Sequence, residues 1–191
     1  ALPILPDYYV EMKEECMKKI KNMDVEWSYT GNDGPEHWHT LCDWFAEGAK
    51  FAYQSPIALE KESAETVNSQ ITFHYKKEEF TEKEFKNTFH FVPPNTESYV
   101  MFENVAYHLT DIHFHMPSEH LLSGKQYPLE FHLVHMNDAG ENLVVGCLFT
   151  ITEEENRFSE ANHPMDWENG THQQWFNPSI FLPEEDRKSV V

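Results

Sequence analysis

Basic charge, cysteine and long apolar runs are all scarce in this sequence, and each shortage removes a class of function. The chain has 14 Lys and Arg against 33 Asp and Glu, a net charge of -19 over 191 residues. A field of that sign repels phosphate backbones, so no nucleic-acid partner is expected. No run of about 18 apolar residues occurs, and the start ALPILPDYYVEMKEEC has neither the basic opening nor the continuous apolar core of a signal peptide. The expectation is a soluble chain with no membrane span. Secretion stays open, because a mature chain has lost its targeting segment. Three cysteines, Cys16, Cys42 and Cys147, cannot all pair within one chain, and none sits in a CxxC spacing. Cys147 lies in the apolar run NLVVGCLFTI and reads as a buried thiol, while Cys16 and Cys42 form one bridge only if the fold brings them together. There is no internal repeat, glycine-rich phosphate loop or GxSxG elbow, so Ser118 with a nearby histidine has no support as a hydrolase triad.

The length suits a single domain over residues 1–191. Acidic clusters EKESAE, KKEEFTEKE, TEEEN and PEED read as solvated loops and turns. Residues 11–21, with acidic residues first and lysines last, suit one short helix. Residues 25–58 are rich in Trp, Tyr, Gly and Pro and read as an irregular segment. From Ile71 onward the pattern changes to short apolar or alternating runs, ITFHY, FHFV, SYVMF, AYHLTDIHFHM, LEFHLVHM and LVVGCLFTI, which are strands. NDAG between the last two predicts a hairpin of residues 129–136 with 142–151, and LLSGKQYP is another short reversal. Pro128 should precede its ladder, because proline has no amide to donate. Beyond Glu153 the period is lost and a covering loop is expected. Asn169-Gly170-Thr171 is a glycosylation sequon, a weak signal alone.

Six of the 12 histidines, His108, His113, His115, His120, His132 and His135, fall between positions 108 and 135. In DIHFHM, two-residue spacing on a strand sends His113 and His115 to one face and Phe114 to the other. In LEFHLVH the same period puts Glu130, His132 and Val134 together, with His135 opposite. Three neutral imidazoles suit zinc and leave its fourth tetrahedral position open, the arrangement of a catalytic rather than a structural site. A ligating histidine also needs an acceptor for its other ring nitrogen. Glu130 is that candidate for His132 and Asp111 for His113, while Glu119 in the MPSEH turn is placed to orient a hydroxyl near the metal. The competing interpretation makes these histidines ordinary hydrogen-bonding residues of a half-buried sheet.

The stretches WSYTG and GPEHW at 27–38, QSPI at 54–57, SYVMFENVAYHL at 98–109, IHFHMPSEHLLSGKQYPLEFHLVH and VVGCLF carry a further signal. Together they resemble the α-class carbonic anhydrases, particularly bacterial and plant members. The resemblance implies a mostly β fold, a large twisted and mainly antiparallel sheet of about ten strands with a few short helices. It implies Zn2+ as cofactor, and carbon dioxide and bicarbonate as the small-molecule substrate pair. By resemblance His113, His115 and His132 are the metal ligands, Asp111 and Glu130 stand behind them, and Glu119 orients a gatekeeping threonine. Tyr29 matches a tyrosine of the cavity water network, and Val134 and Val144 match the apolar wall where carbon dioxide rests.

The chain departs from that pattern in four places. Asp111 stands where the family usually has glutamine. NTFHF at 87–91 replaces the usual NGH of the proton shuttle, leaving Thr88, Phe89 or His90 at that position, with His90 the candidate. The family's cysteine before QSPI has no counterpart, since Phe45 stands nearest. The later segment GSLTTPPC, with its threonine and a following tryptophan strand, does not follow NPSIFLP before Val191. A natural protein ending here would expose a cut sheet and an open cavity unless another chain completed it, which admits a homo-oligomer. A noncatalytic storage or binding relative that keeps the domain is the alternative to an active anhydrase.

Overall fold

The computed structural model describes residues 25–61, 71–85, 88–95, 97–150 and 173–183. The chain divides into two compact units, Ala1–Pro56 and Ile57–Val191. The helix expected over residues 11–21, the sequon and the stretch 151–172 lie outside the described residues.

In the first unit, the segment expected to be irregular contains a 3-10 turn, Gly31–Asp33, and two short helices, α1 (Trp38–Leu41) and α2 (Asp43–Gly48). Local bonds rather than an apolar period make these turns: the Thr40 hydroxyl donates to His37 O, and Ala46 N donates to Cys42 O. Trp27, Tyr29 and Trp38 pack edge to face with ring centroids 5.5–5.8 Å apart. Cys42 is a free thiol, and Cys16 lies outside the described residues.

The second unit is built on an antiparallel sheet of eight strands. Its main path runs β10 (Asn142–Phe149), β9 (Leu129–Met136), β6 (Val105–His115), β4 (Thr88–Val92), β3 (Glu78–Phe85) and β11 (Gln173–Phe176). β5 (Tyr99–Phe102) pairs with the first part of β6, and β2 (Ile71–His74) pairs with β5. A small second sheet joins β1 (Ala58–Leu59), β7 (Leu121–Leu122) and β8 (Lys125–Gln126). The β9–β10 hairpin turns at NDAG as expected, with Asn137 Oδ1 accepting from Ala139 N and Glu141 N and Gly140 at φ 81°. LLSGKQYP is the β7–β8 reversal, its corner at Ser123 and Gly124, and Pro128 precedes β9.

Two strands of the main sheet were not expected. β3 comes from the acidic stretch taken as solvated loop, and β11 from the tail taken as a covering loop. Period two explains both. Glu78, Phe80 and Glu82 point one way along β3 and all three are buried. Phe80 stacks on Phe176 of β11 with centroids 4.3 Å apart, and the Ser98 hydroxyl donates to Glu78 Oε1. The core on this side holds Phe91, Leu109, Ile112, Phe131, Leu133 and Phe181 among others, with Cys147 packed partly buried against it.

The opposite face of β9 carries Glu130, His132 and Val134. Strict alternation along β6 would put Leu109 on that same face with Asp111, His113 and His115. Instead the β6–β9 register shifts between Leu109 and Asp111, so Thr110 is an extra residue. Leu109 thereby drops into the core opposite His135, while Asp111, His113 and His115 face Val134, His132 and Glu130.

Candidate metal centre

Strand register sets the site. His113 on β6 lies directly opposite His132 on β9, and beyond them in the same row are His90 on β4 and Gly146 on β10. His115 faces Glu130 in the next row, and Asp111, Val134 and Val144 form the row on the other side. One ring nitrogen from each of His113, His115 and His132 lies within 4.8 Å of the others. The rings meet at centroid distances of 4.7–5.3 Å.

Hydrogen bonds decide which nitrogen each ring presents. Asp111 Oδ2 lies 2.6 Å from His113 Nδ1, so the shorter arm of aspartate does reach that ring. Burial works to raise the Asp111 carboxyl, but bonds from His113 and His90 outweigh it and lower it. As a carboxylate it only accepts, so His113 Nδ1 carries the proton and Nε2 is left for a metal. Glu130 Oε1 lies 2.9 Å from His132 Nε2, which turns Nδ1 of that ring inward. Here too burial favours the neutral acid, yet bonds from His132 and the His120 backbone hold the carboxyl down at about 2. The sign of both acceptors is therefore negative at neutral pH. Burial pushes His115 down to about 4, so its ring is neutral, the form that ligates. Glu119 Oε2 lies 3.3 Å from His115 Nε2 and 4.0 Å from His132 Nδ1, with its side chain 3% exposed.

Three imidazoles brought together on one face, two of them with their outer N–H taken by a carboxylate, form a donor set that fits zinc. The family model for eukaryotic-type carbonic anhydrase matches residues 33–187. The chain belongs to that family. Its fold is the mostly β one of the α class, which corresponds to the expectation from the motifs. A carbonic anhydrase of Neisseria gonorrhoeae is 29% identical over 165 residues, covering 84% of this chain and 64% of the relative. The α-carbonic anhydrase of Thermovibrio ammonificans, solved with the inhibitor sulfanilamide, superposes with a TM-score of 0.73 at 28% identity, covering 84% of this chain and 72% of that one. Dioscorin dioA3 of Dioscorea japonica is 32% identical over 142 residues, covering 70% of this chain and 51% of the relative. The chain thus spans about half to just under two thirds of the curated relatives' length.

Two residues of this carbonic anhydrase fold were absent from the sequence-based site. His120 Nδ1 lies 2.6 Å from Glu130 Oε1, while the backbone amides of Glu119 and His120 donate to Oε2 at 2.9 and 3.0 Å. Gly146 faces His132, and a Cβ there would sit 3.1 Å from Glu130 Oε1. Glycine inside an apolar strand run was the available signal, since it marks a close approach. Of the earlier candidates, Val134 and Val144 are direct partners, Val144 being 42% exposed. His90 and Thr88 share the site face, whereas Phe91 is in the core and Phe89 stacks with Phe114. Tyr29 belongs to the first unit, against Trp27 and Trp38.

Proposed function

We propose that this chain carries the zinc-binding part of an α-class carbonic anhydrase that interconverts carbon dioxide with bicarbonate and a proton. The observation that carries this reading is the triad His113, His115 and His132, with the outer nitrogens of His113 and His132 engaged by Asp111 and Glu130. His113, His115 and His132 would hold the zinc, which would supply a Lewis acid strong enough to bring the pKa of a water down to about 7.

The chain's own residues supply the rest. Asp111 and Glu130 hold the ring orientations and make the imidazoles stronger donors. Glu119 presents a buried carboxylate beside the triad to fix the direction of a hydroxyl. Val134 and Val144 form the apolar surface for carbon dioxide. The released proton passes to water and buffer, with His90 a further imidazole on the same face. The match over 33–187 crosses both units, which supports treating residues 1–191 as one domain. No helix among the described residues is long and apolar enough to cross a membrane. A secreted, periplasmic or lumenal location and a homo-oligomer accord with the family resemblance.

The aspartate at 111, where the family usually has glutamine, favours a second reading, a carbonic anhydrase-like storage or binding protein. Metal content and carbon dioxide hydration, measured on the full-length protein before and after chelation, separate the two. One zinc per chain and hydration lost on chelation support the anhydrase. Zinc without hydration supports the second reading, and absence of zinc after refolding with the metal removes the first.

A further inference from the structure

We propose that His90 is a positioning residue for the metal triad, acting through Asp111, which serves as one carboxylate clamp for two imidazoles. The proposal rests on the zinc reading above. Asp111 Oδ2 accepts from His113 Nδ1 at 2.6 Å, and its other oxygen, Oδ1, accepts from His90 Nδ1 at 2.8 Å. His90 and His113 are also direct partners across β4 and β6, and their rings stack with centroids 4.8 Å apart at 25°.

These contacts constrain different motions. The terminal torsion of an aspartate is broad, so a carboxylate bonded through one oxygen swings readily out of line. Tying Oδ1 to His90 means that a rotation withdrawing Oδ2 from His113 must break two charge-assisted bonds at once. The stacked His90 ring meanwhile limits tilting of the His113 plane. A neutral amide at position 111 would offer one acceptor oxygen and an amino group in place of the second. The carboxylate therefore needs two donors, and His90 is the second. Asp111 and the NTFHF stretch that carries His90 both depart from the family pattern, and one hydrogen bond joins Asp111 to His90.

The test uses the zinc-loaded full-length protein and its H90F and H90N variants. Phenylalanine keeps a flat ring over His113 but has no donor, whereas the asparagine amide nitrogen can stand near the position of Nδ1. Zinc release into excess chelator is expected to be about three- to tenfold faster in H90F, less than the 10- to 100-fold typical when an acceptor bonded to a ligand is removed. H90N should stay within about twofold of wild type, and the visible spectrum of the cobalt-substituted protein should shift in H90F but not in H90N. In an Asp111→Ala background H90F should add nothing, because the clamp is already gone.

Wild-type release rates in H90F overturn the proposal, as does H90N failing as fully as H90F. Two equivalents of bound zinc, one of them lost in H90N, would overturn it by making His90 and Asp111 ligands of a second ion. Unchanged zinc release together with slow hydration restored by imidazole buffer would overturn it in favour of His90 as a proton carrier. A wild type that takes up no zinc fails at the earlier step and removes the proposed function as well.

Discussion

His132 donates its Nε2 proton to Glu130 Oε1 at 2.9 Å, so the nitrogen of this ring left for a metal is Nδ1. Glu130 is 1% exposed and takes three further bonds, from His120 Nδ1 and from the amides of Glu119 and His120. Four donors fill the acceptor sites of one carboxylate. The tautomer of His132 is thereby set by a group that is itself held from four sides.

Glu130→Gln keeps the size but replaces one oxygen with a donor, which opposes the N–H groups now pointing at it. Zinc affinity or hydration activity should fall about 10- to 100-fold with the fold retained. Glu130→Asp should also lose, because the shorter arm withdraws the acceptor. Chelator competition and hydration assays on both variants, with circular dichroism for folding, check this. A Glu130→Gln protein equal to a metal-loaded, active wild type would refute the assignment.

Gly146→Ala places a methyl group 3.1 Å from Glu130 Oε1, closer than ordinary van der Waals contact. The carboxylate must move by a few tenths of an ångström and has no slack among its four donors. We expect several-fold weaker zinc binding with about 1–2 kcal/mol of stability lost from overpacking. Denaturant titration of the metal-free protein and zinc competition separate the two effects. Gly146→Val should be worse in both.

His132→Ala and His135→Ala should differ in kind. Removing His132 deletes a ring of the triad. His135 lies on the other face, where Nδ1 donates to Leu143 O at 3.2 Å and Nε2 accepts from the Tyr75 hydroxyl at 2.9 Å. His135→Ala leaves that buried hydroxyl unsatisfied, which costs about 1–3 kcal/mol. Zinc titration should show a severe loss only for His132→Ala, and urea midpoints of the metal-free proteins should fall for His135→Ala. Comparable zinc losses would mean the register is wrong.

Acid should destabilise the chain partly through His135. Burial holds this ring down at about 4, below the ordinary value near 6.5. The unfolded chain therefore takes up the proton first as pH falls. The stability contribution is complete above about pH 6.5 and is lost as pH drops toward 4, by up to about 3 kcal/mol. Urea unfolding at several pH values in this window should show a steeper decline for wild type than for His135→Gln, which does not titrate. Parallel declines would contradict the assignment.

The residues of the triad were legible because strand alternation is local. HxH sends two imidazoles to one face wherever a strand forms, and ExH sends a carboxylate and an imidazole together. The NDAG reversal was readable for the same reason, since Asn137 bonds amides two and four residues away. What brings His132 to His113 is the pairing of β6 with β9, a non-local event that periodicity does not specify.

The bulge at Thr110 shows the limit most clearly. The sequence alone runs Leu109, Asp111, His113 and His115 at one spacing, yet burying Leu109 requires it to leave the face on which the other three hold the site. Charge likewise misled over β3, because Glu78 and Glu82 are buried beside Phe80 only once β4 and β11 flank the strand. The sequence by itself determined which side chains share a face within a strand, since that depends on the chain's own pleat. Only the tertiary structure decided that His90 meets Asp111, that His120 meets Glu130 and that Gly146 makes room for the carboxylate. Each of those contacts lies between strands or loops whose order and register are set by burying the common core.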